Sequence, residues 1–280
     1  MTALQEHYAQ CEELLRLRDR DLWLASLFAP QEPRRHIHAI YAFARESADV
    51  CGKVTQPLLG EMRLQWWIDA LEGGDAAQGE GARANPVADA LIDTIERFGL
   101  PREEFVALAE AHVFDLYDDQ MPTWAALEDY CRTTASEPIR WAGQILGADL
   151  QAPSAGAFDH AGVALGLTRI LRALAESLER RKFLPEEAFA PAGQPEPSGG
   201  GELRPALRKM QALAQSHYDE ARRLAPDLGA ARAALLPAAT TPLYLEQLAR
   251  SDYDPLRPPG EPSPLRRQWR LWRASRGVGL

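Results

Sequence analysis

Two hundred and eighty residues, 46% of them hydrophobic, suffice to bury a sizeable core, and one domain over residues 1–280 is expected. A net charge of −9, with no basic stripe interleaved with aromatics in the body of the chain, argues against nucleic acid as a partner. Cys11, Cys51 and Cys131 stand singly, which speaks against a disulfide framework or a cysteine zinc site, and no apolar run reaches the roughly 18 residues of a membrane span.

The chain opens with Met1 to Tyr8, which has neither a basic nor an apolar leader segment, and Glu6, Glu12 and Glu13 argue against an organellar transit peptide. A cytoplasmic location is expected. From His36 to Cys51, Ile37, Ile40, Tyr41, Ala44, Ala48 and Cys51 recur at steps of three and four, which predicts one apolar stripe of a helix. Leu58 to Leu71 is the next helix, with Leu64, Trp67 and Leu71 inward, and Gly73 to Pro86 is a surface loop. Val87 to Phe98 is helical and closed by Gly99, and Pro101 starts a further helix to about Tyr117.

Trp124 to Leu146 is a long helical stretch broken before Pro138 and stopped by Gly147. Asp159 to Glu179 places Val163, Leu167, Ile170, Leu171, Leu174 and Leu178 on one face, and Phe183-Leu184-Pro185 ends it. Residues 190–205, rich in proline and glycine, predict a flexible loop. Leu207 to Leu224, Leu228 to Leu236 and Pro242 to Arg250 predict three more helices. No stretch alternates with period two, so the fold class is all-α.

The end of the chain differs in charge. Residues 263–280 hold Arg266, Arg267, Arg270, Arg273 and Arg276 without an acid, so this tail carries +5 and the rest −14. Leu265, Trp269 and Trp272 share one helical face with Arg266, Arg270 and Arg273 beside them, the composition of a helix lying on anionic lipid. Packing of the two tryptophans on the body is the alternative.

Candidate chemistry is sparse. Glu46 and Asp49 are three apart on one predicted helix and Glu176 and Glu179 on another, a spacing at which side chains are neighbours and two acids can share a cation. The competing reading pairs Arg45 with Asp49, and Glu176 and Glu179 with Arg172, Arg180 and Arg181, as ordinary helical ion pairs. The six histidines, His7, His36, His38, His112, His160 and His217, lack metal-ligand spacing, and no glycine-rich phosphate loop or GxSxG elbow is present.

Several segments together resemble the squalene and phytoene synthase family: Arg34 to Val50, Gly60-Glu-Met-Arg-Leu-Gln-Trp-Trp67, Tyr130-Cys-Arg-Thr-Thr-Ala135, Gly162 to Arg172 and Arg181-Lys-Phe-Leu-Pro185. The resemblance implies an isoprenoid synthase bundle around a central cavity, in which aspartates on two facing helices hold magnesium and a diphosphate. The family's first motif, Tyr-Ala-Phe-Cys-Arg-x-x-Asp-Asp-x-x-Asp, falls on Ala48, Asp49 and Gly52. Its second, Gln-Leu-Thr-Asn-Ile-Leu-Arg-Asp-x-x-x-Asp, falls on Gly166, Arg169, Arg172, Ala173, Glu176 and Ser177. Only Asp49 remains of the aspartates in these motifs. A guanidinium at 169 adds repulsion on the order of 4 kcal/mol per unit charge at about 4 Å in a medium of effective dielectric near 20.

This combination resembles the branch of the family that contains mitochondrial assembly factors for respiratory complex I. It implies a non-catalytic, membrane-peripheral assembly or binding protein, with a protein partner, no cofactor and no metal, on the inner face of the cytoplasmic membrane if peripheral. Arg45, Arg63, Arg172, Arg181 and Lys182 form a basic set suited to holding a phosphate or carboxylate directly. Two alternatives stay open. One is a magnesium-dependent head-to-head prenyltransferase using Asp49, Glu46 and Glu176; the other is a lipid or isoprenoid carrier.

Overall fold

The computed structural model describes residues 2–73, 85–174, 178–189, 200–250 and 260–280, and among them there is no strand. The first half holds α1 (Ala3–Arg18), α2 (Arg20–Ser26), α3 (Gln31–Ala48), α4 (Pro57–Glu72), α5 (Pro86–Phe98), α6 (Arg102–Ala111) and α7 (Trp124–Cys131). The second holds α8 (Glu137–Ile145), α9 (Gly156–Leu174), α10 (Gly200–Leu224), α11 (Thr241–Leu248) and α12 (Pro264–Ser275). Local chemistry sets several boundaries. Thr2 and Gln5 form a capping box on α1, Asn85 accepts from the Val87 and Ala88 amides to start α5, and Gly99 adopts the left-handed conformation that ends it.

α3 is the central helix of one core, packed against α1, α5 and α8, while α9 runs along α10 and forms the second. Ile37, Ile40, Tyr41 and Phe43 are buried as the periodicity requires, and so are His36 and His38. Tyr8 bridges three helices, its hydroxyl donating to Asp93 (2.6 Å) and lying 2.9 Å from His36 Nδ1. His38 Nε2 lies 2.7 Å from Ser26 Oγ on α2.

Four expectations need correction. The break before Pro138 is a wider, π-type turn at Arg132–Ser136 that runs directly into α8. Gly200–Leu224 is helical, so residues 200–205 of the expected 190–205 loop are helical, with Pro205 inside the helix, where its ring forfeits one backbone hydrogen bond. Residues 190–199 of that loop, most of the 73–86 loop, and Glu176 and Ser177 lie outside the described residues. The helix read from Asp159 to Glu179 is described as helix from Gly156 to Leu174, residues 175–177 lie outside the described residues, and Leu178–Phe183 is a 3-10 turn where helix was expected to Glu179. In place of a helix at Leu228 to Leu236, the chain winds as 3-10 turns over Ala225–Thr240, kinked at Gly229 (φ 54°), because prolines 226 and 237 and this glycine interrupt α-type bonding.

Burial of the two α3 histidines makes stability depend on pH. It lowers both His36 and His38 to about 4, so each stays neutral when folded but protonates near 6.5 when unfolded. The unfolded chain therefore binds more protons between about 4 and 6.5, and stability is lost as pH falls through that window. Glu137, raised to about 7 by burial, works in the opposite sense, since its unfolded form ionises first. Two groups outweigh one. The unfolding free energy should rise between about pH 4.5 and 6.5 by at most about 1.4 kcal/mol per pH unit, and His38→Gln should flatten the slope in denaturant titrations at several pH values.

Candidate functional site

A cavity of about 490 Å³ opens between α3 and α9 and is closed by the α1–α2 junction, the π turn, α11 and the start of α12. α3 contributes Tyr41, Ala44, Arg45, Ala48 and the capping Asp49, while α9 contributes Gly166, Thr168, Arg169, Arg172 and Ala173. The two motif segments thus face one hollow. Their shared wall follows from helical spacing: 41, 45, 48 lie on one stripe, as do 166, 169, 173.

The hollow is crossed by ion pairs. Arg45 bonds Asp49 one turn away, and Arg18 approaches the same carboxylate at 3.9 Å. Arg169 reaches across to Asp19 at 2.7 Å. Arg172 pairs with Glu261 (2.5 Å) while its guanidinium lies 3.8 Å above the Tyr244 ring. Arg267 holds Asp21 (3.2 Å) and Glu261 (3.1 Å), and the Tyr244 hydroxyl donates to Asp21 at 2.7 Å. On the far wall, Asp115 meets His112 Nδ1 and the Tyr130 hydroxyl, each at 2.8 Å.

Among the described residues, each of the five carboxylates that line the cavity is therefore already engaged by a guanidinium, an imidazole or a phenol. Asp19 and Asp49, with side chains 11% and 12% exposed, are held by charge-assisted bonds in a partly desolvated site. Burial pushes the Tyr41 and Tyr244 hydroxyls and the Cys131 thiol up, so they stay protonated. Among the described residues, no three His, Cys, Asp or Glu side chains converge as a metal-binding group.

The sequence-derived candidates divide. Arg45, Ala48, Asp49, Gly166, Arg169, Arg172 and Ala173 line the cavity. Glu46 does not: its carboxylate lies 3.9 Å from Lys53. Gly52 sits past the end of α3 with no atom near enough to touch a Cβ there. The proposed basic set does not assemble. Arg63 is exposed on α4, Arg181 is not part of the cavity wall, and the Lys182 ammonium is used up on main-chain carbonyls of Phe114 (3.2 Å), Asp115 (3.0 Å) and Tyr117. Lys182 thus ties its turn to the end of the 3-10 turn His112–Leu116, which replaces the last part of the helix expected to about Tyr117, a structural role that its position beside Arg181 does not reveal.

Reasoning from the sequence missed Arg18, Asp19, Asp21, Tyr244, Glu261 and Arg267. The alternating charges of Arg18-Asp19-Arg20-Asp21 are visible in the chain, yet their partners lie 150 and 246 residues away. Arg172 pairs with Glu261 and stacks on Tyr244, where the sequence had suggested Glu176 and Glu179.

Comparison with known proteins agrees with the all-helical fold. A squalene/phytoene synthase family model matches residues 15–273. Complex I assembly factor 6 of Rattus norvegicus is 28% identical over 263 residues, covering 91% of this chain and 78% of that protein. Phytoene synthase of Thermus thermophilus is 30% identical over 254 residues, covering 87% of this chain and 83% of that enzyme. A dehydrosqualene synthase crystal structure superposes with a TM-score of 0.76 at 22% identity, covering 98% of this chain and 96% of that one. The chain belongs to the squalene/phytoene synthase family.

Proposed function

We propose that this chain is a non-catalytic binding or assembly protein of the respiratory complex I assembly type. The observation that carries the reading is the pairing of every cavity carboxylate among the described residues. Magnesium with a diphosphate asks for several free carboxylate oxygens in a near-octahedral shell. Here Asp49 and Asp19 already face Arg45, Arg18 and Arg169, and the positions matching the other motif aspartates are Ala48, Gly52, Ala173 and Ser177. Such a donor set does not fit a divalent cluster, because a cation entering it must displace guanidinium groups fixed to the same oxygens. The likeness to complex I assembly factor 6 over 91% of the chain supports a protein partner.

The likeness to phytoene synthases supports the prenyltransferase alternative, and one assay separates the two. With farnesyl or geranylgeranyl diphosphate and magnesium, the purified protein should release no diphosphate. Steady release that vanishes in Asp49→Ala would reverse the assignment. A carrier role is favoured by one further feature: Arg45 Nε, Arg267 Nε and Thr241 Oγ1 are buried on cavity-lining side chains without a hydrogen-bond partner, a polar end for an amphiphile. Native mass spectrometry of the same sample reads this out as a retained small molecule.

A further inference from the structure

α12 is fastened along one face and bare along the other. Arg267 reaches Asp21 and Glu261, Arg270 donates to the Ala239 carbonyl (2.9 Å) and the Tyr218 hydroxyl (2.5 Å), and Leu271 and Ala274 are buried. These positions recur at steps of three and four, so they fix the rotation of the helix. The opposite face carries Leu265, Trp269 and Trp272, which are 78%, 59% and 44% exposed, with the two indoles stacked 4.9 Å apart. Exposed Arg266, Arg273 and Arg276 border it; Arg266 also contacts Glu246 (3.2 Å), and the Arg276 guanidinium lies 5.4 Å from the Trp272 ring. No acid occurs anywhere in α12.

We propose that the Leu265, Trp269 and Trp272 face of α12 docks on an anionic lipid surface, with Arg266, Arg273 and Arg276 meeting the headgroups. Indoles suit the boundary between headgroup and acyl chain, and arginines beside them neutralise lipid phosphates. Charge selects this occupant over a second copy of the same face. Two copies of a face bordered by exposed Arg266, Arg273 and Arg276 would repel one another, whereas an anionic surface attracts it. The anchors at Arg267 and Arg270 hold the face outward already, so docking requires no folding step. This surface goes beyond the assembly reading and does not depend on it.

The test is sedimentation of the full chain with phosphatidylcholine–phosphatidylglycerol vesicles and with phosphatidylcholine alone. The protein should pellet with the mixed vesicles only, and less so as salt is raised. Joint Trp269→Ser and Trp272→Ser substitution should weaken binding about tenfold or more, and Arg273→Gln roughly fivefold, without changing the melting temperature, since all three side chains are exposed. Quenching of the native tryptophan fluorescence by brominated lipid is a readout that needs no variant, and it should follow the bound fraction. Absence of sedimentation and quenching at low salt overturns the proposal. So does binding that survives the double substitution, or self-association of the native chain that the double substitution abolishes.

Discussion

Gly162→Ala should cost about 3 kcal/mol or more, lowering the melting temperature by roughly 6 °C or further, although it adds a single methyl group. A Cβ at this position would stand 2.1 Å from the Ser136 Cα and 2.5 Å from its amide nitrogen, and backbone cannot swing aside as a side chain can. The contact is where α9 crosses the π turn, and Ser136 Oγ donates to the Asp159 carbonyl (2.8 Å) beside it. Forcing these elements apart displaces the helix that carries Arg169 and Arg172, so the cavity network should loosen too. Gly52→Ala is the matched control. Nothing lies within 4 Å of a Cβ there, and its effect should stay within about 0.5 kcal/mol by differential scanning calorimetry.

Trp141→Ala should cost about 3 to 5 kcal/mol, the range for deleting a large buried aromatic. The ring is fully buried on α8, stacked on Phe105 of α6 with centroids 3.6 Å apart and planes at 13°, and its Nε1 donates to Glu104 at 2.7 Å. Removal leaves a cavity where α3, α6 and α8 meet. Trp141→Phe keeps most of the stack and loses the hydrogen bond, but Glu104 retains Arg140 at 2.5 Å, so its cost should be nearer 1 kcal/mol. Urea denaturation of the two variants separates packing from the hydrogen bond, because only the alanine form should lose most of the stability.

The long core helices were legible because their apolar stripes are long and local. α3 and α5 announce themselves by steps of three and four and by Gly99, and the break before Pro138 was placed within a few residues of the π turn. Less legible were segments where local rules conflict. Ala225–Thr240 contains good helix formers interrupted by Pro226, Gly229 and Pro237, and tertiary packing settles it as 3-10 turns. Within the site, Arg45 with Asp49 was readable as a one-turn pair. Asp19 with Arg169 and Asp21 with Arg267 were not, since each joins ends of the chain that only the folded bundle brings together. The basic set read from the sequence failed for the same reason: charge type is local information, but direction is tertiary. In the tail, Arg270 turned inward to Tyr218, while both tryptophans stayed outside.

These pairings give the cavity its chemical character. Among the described residues, guanidinium groups sit on Asp19, Asp21, Asp49 and Glu261, and in the proposed non-catalytic reading these pairs withhold the oxygens that a metal would need. The most direct measurement is calorimetric titration of Mg²⁺ into the protein with inorganic diphosphate present. Absence of saturable heat is the predicted result; tight uptake of two or more ions, abolished by Asp49→Ala, would contradict it.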